Sequence, residues 1–234
     1  MDASQSPRPL RLPATALWIL VVLIVPRVVE RVATQWYLGQ WYLDTGNDGM
    51  PPAEVVYAAV RFGKPLGIWI VIASLAALWP GWGPVKLYRL WPNRLAAGVA
   101  VGLLAGAAWA AVISLSGAVA PALALDPAGK LAALPLTLTT GVGEELLYRG
   151  FILGLLVHSG VRPVRQVLVS AALFALSAAW FNWDAVFWGL GFGLTLSGLA
   201  VWRGNVWPAV AAHLVFEVLL QPALILGKLE AALG

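Results

Sequence analysis

Two adjacent glutamates and an arginine interrupt an apolar run in the stretch GVGEELLYRGF, which extends from Gly141 to Phe151. On a helix, Glu145 and Arg149 are i,i+4 neighbours and can form an ion pair along one face. Glu144 is rotated by about 100° from Glu145, so it is predicted to point elsewhere and not to be neutralised by the same arginine. We therefore expect one structural carboxylate and one that remains available for chemistry.

A second polar pair lies further along the chain, where His213 and Glu217 are i,i+4 neighbours in the stretch HLVFE. A carboxylate at this spacing can orient or charge the imidazole. A desolvated glutamate such as Glu144 can serve as a general base for water, and an imidazole can hydrogen-bond a developing oxyanion. A general base and an oxyanion donor together are the groups that could hydrolyse a peptide bond without a covalent intermediate. The alternative is that both pairs only lock helices together.

Two glycines precede the glutamates. Gly141 and Gly143 carry no side chain, so another backbone can approach them closely. We expect that an extended substrate could use this approach.

The elements that position these residues are predicted to be membrane helices. Of the 234 residues, 60% are hydrophobic and 11% are charged, whereas soluble domains are roughly half apolar and a quarter charged. About 20 apolar residues cross the hydrocarbon core of a bilayer. The fold class is therefore an all-α, polytopic membrane protein with spans predicted at 13–35, 56–79, 95–119, 131–157, 164–181, 185–202 and 206–226.

The loops and the charge pattern narrow the function further. The formal charge of +4 does not indicate nucleic-acid binding, because no basic stripe or Lys/Arg block is present. The absence of cysteine excludes disulfides, thiolate catalysis and Cys-ligated zinc. The first apolar stretch lacks an A-x-A-like cleavage site and is predicted to be a retained span.

Topology follows from the positive-inside rule, which predicts a cytoplasmic N-terminus and, for seven spans, an exterior C-terminus. Arg61 and Lys64 fit this topology poorly, and an extra half-helix near 53–63 would raise the count to eight. Short loops, the absence of cysteine and an Arg- and Ala-rich composition favour a prokaryotic plasma (inner) membrane.

The motifs resemble those of the CAAX-protease and bacteriocin-processing family (CPBP, or ABI) of intramembrane endopeptidases. The first family motif, E-E-x-x-x-R, is matched fully by EELLYR at 144–149. The second, F-x-x-x-H, begins correctly at Phe174 but ends at Ala178 in FALSA. The third, H-x-x-x-N, gives His213 but ends at Glu217. The resemblance covers about residues 130–222, and the N-terminal spans carry no signature.

The resemblance implies a bundle of about seven to eight transmembrane helices enclosing a polar cavity. It divides the chain into N-terminal accessory helices at 1–129, a catalytic core at 130–226 and a short tail at 227–234. It implies a glutamate-type mechanism without a cofactor or metal, since His213 is the only plausible imidazole ligand. By analogy, Glu144 activates the attacking water while Glu145 and Arg149 hold the site.

The same analogy assigns oxyanion stabilisation to His213 with the residue at 217. It places a histidine that holds or activates the water at the position of Ala178. Phe174 and Asn182 are predicted to contribute to substrate binding. The implied partner is a membrane-associated protein or peptide, such as a leader peptide or a C-terminal anchor removed during protein sorting.

Ala178 keeps several alternatives open, because a methyl group can neither accept a proton nor orient a water. The chain can be a degenerate pseudoenzyme, a member of a subfamily in which Glu217 or Asn182 takes over, or a form silenced by a His-to-Ala substitution. The corresponding alternative function is a non-catalytic pseudoprotease or an immunity-type, partner-binding membrane protein. Less favoured are a serine protease that uses Ser197 with His213, and a transporter or proton relay.

Overall fold

The computed structural model describes residues 12–46, 53–78, 95–115, 135, 138–178 and 183–219, and this part of the chain consists of helices and turns without a strand. This confirms the all-helical class predicted from composition. In chain order the helices are α1 (Leu12–Thr45), α2 (Ala53–Leu78), α3 (Leu95–Leu115), α4 (138–158), α5 (Pro163–Ala178), α6 (Trp183–Arg203) and α7 (Trp207–Leu219).

Two predictions about the helix boundaries need correction. Helix α1 continues to Thr45, well beyond the predicted end at 35, although Pro26 lies inside it. The residues near 53–63 do not form a separate half-helix, because α2 begins at Ala53 and runs without a break to Leu78. By length and composition, two of the described helices qualify as membrane spans, with mean hydropathies of 2.1 for Leu95–Ile113 and 1.2 for Val186–Arg203.

The outward faces of the helices are apolar. On α1 the exposed hydrophobic residues recur every three to four positions, which places them on one stripe of the helix: Leu17, Leu20, Ile24, Val28 and Val32. Contiguous exposed apolar surface of this kind is unusual on a soluble monomer. It suits a helix that faces lipid, while Arg27 and Glu30 of the same helix are partly buried.

Small residues allow close helix packing at two crossings. In α2, a Cβ added at Gly63 would lie 2.6 Å from the Glu30 carbonyl oxygen, and one at Gly67 would lie 2.3 Å from that of Pro26. The two glycines are four residues apart, the spacing at which membrane helices commonly bring their backbones together. Helices α1 and α2 therefore pack backbone against backbone.

Helices α3 and α7 pack in the same way. A Cβ at Gly102 would lie 2.2 Å from the Pro208 carbonyl oxygen, and one at Gly106 would lie 2.3 Å from that of Ala212. Ala212 directly precedes His213 on α7. The glycine row of α3 thus fixes the helix that carries the candidate imidazole.

Helix α4 changes its winding directly after the two glutamates. Leu146–Ile152 is π-helical, and the backbone N–H of Leu153 is shared between the carbonyls of Tyr148 and Gly150. The Tyr148 carbonyl also accepts a hydrogen bond from Ser170 Oγ of α5, at 3.2 Å. Single π-helical turns inside α-helices are frequent at functional sites, and this one contains Arg149.

Candidate active site

The site is centred on His213, whose side chain is 2% exposed. Its Nδ1 lies 2.7 Å from Glu145 Oε1, and its Nε2 lies 3.6 Å from Glu144 Oε2. The two consecutive glutamates of α4 therefore contact opposite nitrogens of one ring on α7. As expected, Glu144 does not share the arginine of Glu145, although both side chains reach the same ring.

The third carboxylate of the cluster belongs to α7 itself. Glu217 Oε1 lies 3.4 Å from His213 Nε2, one helical turn away, as the i,i+4 spacing predicted. Among the described residues, neither oxygen of Glu217 has a hydrogen-bond partner, and Glu145 Oε2 has none either. These buried acceptors can receive hydrogen bonds from a water or a substrate group.

The ion pair predicted between Arg149 and Glu145 is confirmed. Arg149 donates to Glu145 Oε1 at 2.7 Å, and both side chains are 0% exposed. Arg149 also donates to the Gly193 carbonyl oxygen at 3.3 Å. A buried ion pair is stable only when further hydrogen bonds satisfy its remaining donors, and α6 supplies such an acceptor here.

A chain of hydroxyl groups holds the other side of the guanidinium. Arg149 Nε donates to Ser197 Oγ at 3.4 Å, and Ser197 Oγ donates to Ser170 Oγ at 3.2 Å. Ser170 in turn donates to the Tyr148 carbonyl. Ser197 therefore takes part in fixing Arg149, which supports a packing role rather than that of a nucleophile.

Aromatic rings enclose the imidazole. Phe174 and Phe192 meet His213 edge to face, with ring centroids 5.9 and 5.4 Å away. The Arg149 guanidinium lies over the Phe174 ring at 4.4 Å, within cation–π range. Phe174 is 8% exposed, so it orients the site residues, and its contact with a substrate stays a prediction.

Two residues of the second motif cannot be placed as fully. Ala178 is the last residue of α5, one turn after Phe174, and its side-chain surroundings lie outside the described residues. Asn182 lies outside the described residues as well. Whether either of them reaches the site is therefore still a prediction.

Glu144 is not an unpartnered carboxylate, contrary to the expectation from sequence. Lys64 Nζ of α2 lies 2.9 Å from Glu144 Oε1, with the two side chains 18% and 6% exposed. From the sequence, Lys64 was only a residue that fitted the predicted topology poorly. A signal was present, because a charged residue within an apolar helix is by itself a candidate for a functional site.

A small cleft opens on the Lys64 side of Glu144, between α1, α2 and α4. It encloses about 280 Å³ of empty space, its open mouth included, and the polar residues along it are Arg27, Glu30, Lys64, Glu144 and Tyr148. Arg27 pairs with Glu30 and donates to the Ser177 carbonyl oxygen at the end of α5. Glu144 thus separates this cleft from the imidazole.

The two glycines before Glu144 accommodate neighbouring helices. A Cβ at Gly143 would lie 2.5 Å from Ile68 Cγ2 of α2, and one at Gly141 would lie 3.1 Å from Leu214 Cδ2 of α7. Side chains of the protein therefore occupy the space that the sequence analysis assigned to an approaching substrate. The prediction of a substrate backbone at these glycines is wrong for this arrangement.

The charges of the cluster nearly balance. With a neutral imidazole, the carboxylates of Glu144, Glu145 and Glu217 and the cations Lys64 and Arg149 sum to a formal charge of −1 (−3 + 2). Glu144, His213 and Glu217 each present one atom within 4.8 Å of the others, so this group could hold a metal ion. The ammonium group beside Glu144 would repel a divalent cation there, whereas one added proton would cancel the remaining charge.

Comparison with known proteins agrees with the motifs. Residues 127–219 match the family model described as "Type II CAAX prenyl endopeptidase Rce1-like". No curated protein and no solved structure matches the chain. The matched segment carries both glutamates, Arg149 and His213, whereas Lys64 lies outside it. Residues 127–219 therefore match an Rce1-like domain, which agrees with the resemblance of the motifs to the CPBP family.

Proposed function

We propose that this protein is an intramembrane endopeptidase that hydrolyses a peptide bond with a water molecule activated by Glu144. One observation carries the proposal, namely that Glu144 Oε2 and Glu217 Oε1 both face His213 Nε2, at 3.6 and 3.4 Å. A general base must lie within reach of the proton that it removes. A water that sits beside both Glu144 Oε2 and the imidazole, within one hydrogen-bond length of each, satisfies that condition.

The surrounding contacts fit a division of roles. Glu144 takes a proton from the water, the oxygen attacks the scissile carbonyl carbon, and the same proton passes to the departing amide nitrogen. With Glu145 ionised, His213 donates from Nδ1 to its Oε1, so a hydrogen bond from Nε2 to the oxyanion requires the doubly protonated ring. That proton also cancels the formal charge of −1. Preorganised donors of this kind stabilise the charge that develops in the transition state.

Glu145 and Arg149 are not available for proton transfer in this scheme. Glu145 accepts from Arg149 and contacts His213, while Arg149 is held by Gly193 and Ser197. Their role is to fix the ring so that Nε2 points at the reacting groups. No cofactor or metal takes part in the proposed reaction.

The proposed substrate is a membrane-associated protein or peptide, cleaved near a leader or a C-terminal anchor segment. The site is buried among apolar helices, which suits a substrate that already lies in or at the bilayer. We place the protein in a prokaryotic plasma membrane with its N-terminus in the cytoplasm. This rests on the positive-inside pattern of the loops.

A second function, that of a non-catalytic partner-binding protein, is favoured by two observations. Ala178 stands where the family has a histidine, and Lys64 engages the carboxylate that would act as base. In this alternative, the polar cluster holds the helices that bind a peptide segment without cutting it.

The two functions can be separated in proteoliposomes that contain the protein and fluorogenic peptides built from leader and C-terminal anchor segments. The natural chain and an Ala178→His variant are each tested with and without Glu144→Gln. Asp44→Asn, an acid-to-amide change at the exposed end of α1, is the matched control. General-base catalysis contributes about 10²–10⁴-fold, so Glu144→Gln is expected to lower the rate by at least 100-fold, whereas Asp44→Asn leaves it within about twofold.

Two results would contradict the endopeptidase proposal. Cleavage that survives Glu144→Gln would exclude this residue as the base, and loss on Ser197→Ala alone would point to serine chemistry. If neither the natural chain nor Ala178→His cuts any peptide while the peptides still bind, the partner-binding function is the correct one. Addition of EDTA is expected to leave the rate unchanged, and restoration by Zn²⁺ after such treatment would show a metal at Glu144, His213 and Glu217.

A further inference from the structure

Helix α2 lies outside the family-matched segment, yet one of its faces is fitted to α4 at the level of the two glutamates. Lys64 and Ile68 are i,i+4 neighbours and therefore share this face. Lys64 Nζ contacts Glu144 at 2.9 Å, and Ile68 fills the space beside the adjacent Gly143. Trp69 Nε1 donates to the Thr139 carbonyl oxygen at 3.2 Å, one turn earlier on α4. Three consecutive contacts set the register of α2 against α4.

The opposite side of α2 is held just as closely by α1. Gly63, directly before Lys64, packs on the Glu30 carbonyl, and Gly67 packs on that of Pro26. A lysine side chain usually keeps considerable rotational freedom. Here its helix is fixed between two neighbours, and the side chain is only 18% exposed. The contact between Lys64 and Glu144 is therefore fixed by the packing of α2 against α1 and α4.

Apart from the protonated ring of His213, Lys64 is the cation that contacts Glu144 in the described part of the chain. Arg149 is committed to Glu145, and Arg27 is committed to Glu30 and to the Ser177 carbonyl. Ser177 directly precedes Ala178, so Arg27 of α1 contacts the end of α5 at which the family has a histidine.

We propose that Lys64 is a positioning residue for the Glu144 carboxylate, and that helices α1 and α2 are thereby part of the active site. The proposal rests on the proposed endopeptidase function. The ammonium holds Oε1, which leaves Oε2 turned toward His213 Nε2 and toward the water that it activates. Lys64 thus holds the general base in place, whereas the family histidine at position 178 would hold the water.

The first test uses whichever background, natural or Ala178→His, shows cleavage that depends on Glu144. Misplacing a reacting group by about 1 Å can cost 10²-fold in rate. Lys64→Met is therefore expected to lower kcat by about 10–100-fold with KM within about threefold, and Lys64→Arg is expected to recover most of the loss. Leu66→Met, on the exposed side of the same helix, is the matched control and is expected to change neither constant.

This test separates the inference from the proposed function. If Glu144→Gln abolishes cleavage while Lys64→Met cleaves at the full rate, the endopeptidase stands and the role of Lys64 is wrong. If Lys64→Arg is as impaired as Lys64→Met, the side chain is needed for its shape and not as a cation, which also overturns the inference.

A second test needs no catalytic activity. Removing Lys64 leaves a buried carboxylate without its partner, and such a change is destabilising. Lys64→Met is expected to lower the melting temperature in detergent by several degrees, and adding Glu144→Gln is expected to recover at least half of that loss. Strictly additive losses from the two substitutions would show that the side chains do not interact, which would overturn the inference whether or not the protein is an enzyme.

Discussion

The pair of Arg149 and Glu145 provides the sharpest test of the site as a structural unit. Both side chains are 0% exposed and lie 2.7 Å apart. Arg149→Met keeps most of the side-chain volume but removes the charge together with the hydrogen bonds to Gly193 and Ser197. Glu145 would then be a buried carboxylate whose remaining close partner is His213.

The expected size of the effect follows from these contacts. Removing one member of a buried ion pair costs about 3–5 kcal/mol of unfolding free energy. For a chain of this length, 1 kcal/mol corresponds to about 2–4 °C in melting temperature. Arg149→Met is therefore expected to melt about 6–20 °C lower than the natural protein.

Thermal unfolding of the purified protein in detergent, followed by intrinsic tryptophan fluorescence, measures this change. Arg165→Met, at an exposed position on α5, is the matched control and is expected to shift the midpoint by less than about 2 °C, because exposed charges contribute little. Adding Glu145→Gln to Arg149→Met should recover part of the loss, since the unpaired charge is then removed. If Arg149→Met melts at the same temperature as the control, the claim that Arg149 neutralises the buried charge of Glu145 is refuted.

Two further predictions concern the packing that carries the site. Gly102→Ala is expected to lower the free energy of unfolding by about 1–3 kcal/mol through overpacking, since its Cβ would lie 2.2 Å from the Pro208 carbonyl oxygen. Gly198→Ala, whose Cβ meets nothing within 4 Å, is the control and should be nearly neutral in the same melting assay. Equal effects of the two substitutions would contradict the α3–α7 crossing. Ile68→Cys with Gly143→Cys is expected to form a disulfide in membranes on mild oxidation, because the 2.5 Å approach puts the two Cβ atoms within about 4 Å, inside disulfide range. The chain has no cysteine of its own, so only the introduced pair can react. Ile70→Cys with Gly143→Cys is the control, because Ile70 lies on the exposed face of α2. A failure of the first pair to crosslink on a gel would contradict the α2–α4 contact.

Several features of the fold could be predicted from the sequence because they depend on local spacing. The apolar runs predicted helices near their observed positions, and the i,i+4 rule predicted the Arg149–Glu145 pair. These predictions need only the rise and turn of a helix. The rotation argument correctly separated Glu144 from Arg149, since Glu144 pairs with Lys64 instead, but a 100° offset between neighbours does not prevent both glutamates from meeting one bulky partner on a facing helix.

What the sequence could not provide was the pairing of distant helices. The contact of Lys64 with Glu144 joins residues 80 positions apart (144 − 64), and no local pattern indicates which helix faces which. The glycines at 141 and 143 were interpreted as open space for the same reason, since the residues that fill it, Leu214 and Ile68, come from α7 and α2. In each case the missing information was the identity of the neighbour.

The π-helical turn at Leu146–Ile152 has a consequence for how this domain tolerates changes in chain length. A π turn accommodates one residue more than the α-helical turn that it replaces. Deleting a single residue between 146 and 152 would let the helix rewind regularly while the side chains on either side keep nearly their present directions, because the π turn already absorbs the extra residue. A length change of one residue is therefore absorbed within this segment, whereas the same deletion elsewhere in α4 would turn the acidic pair by about 100° relative to the apolar end of the helix.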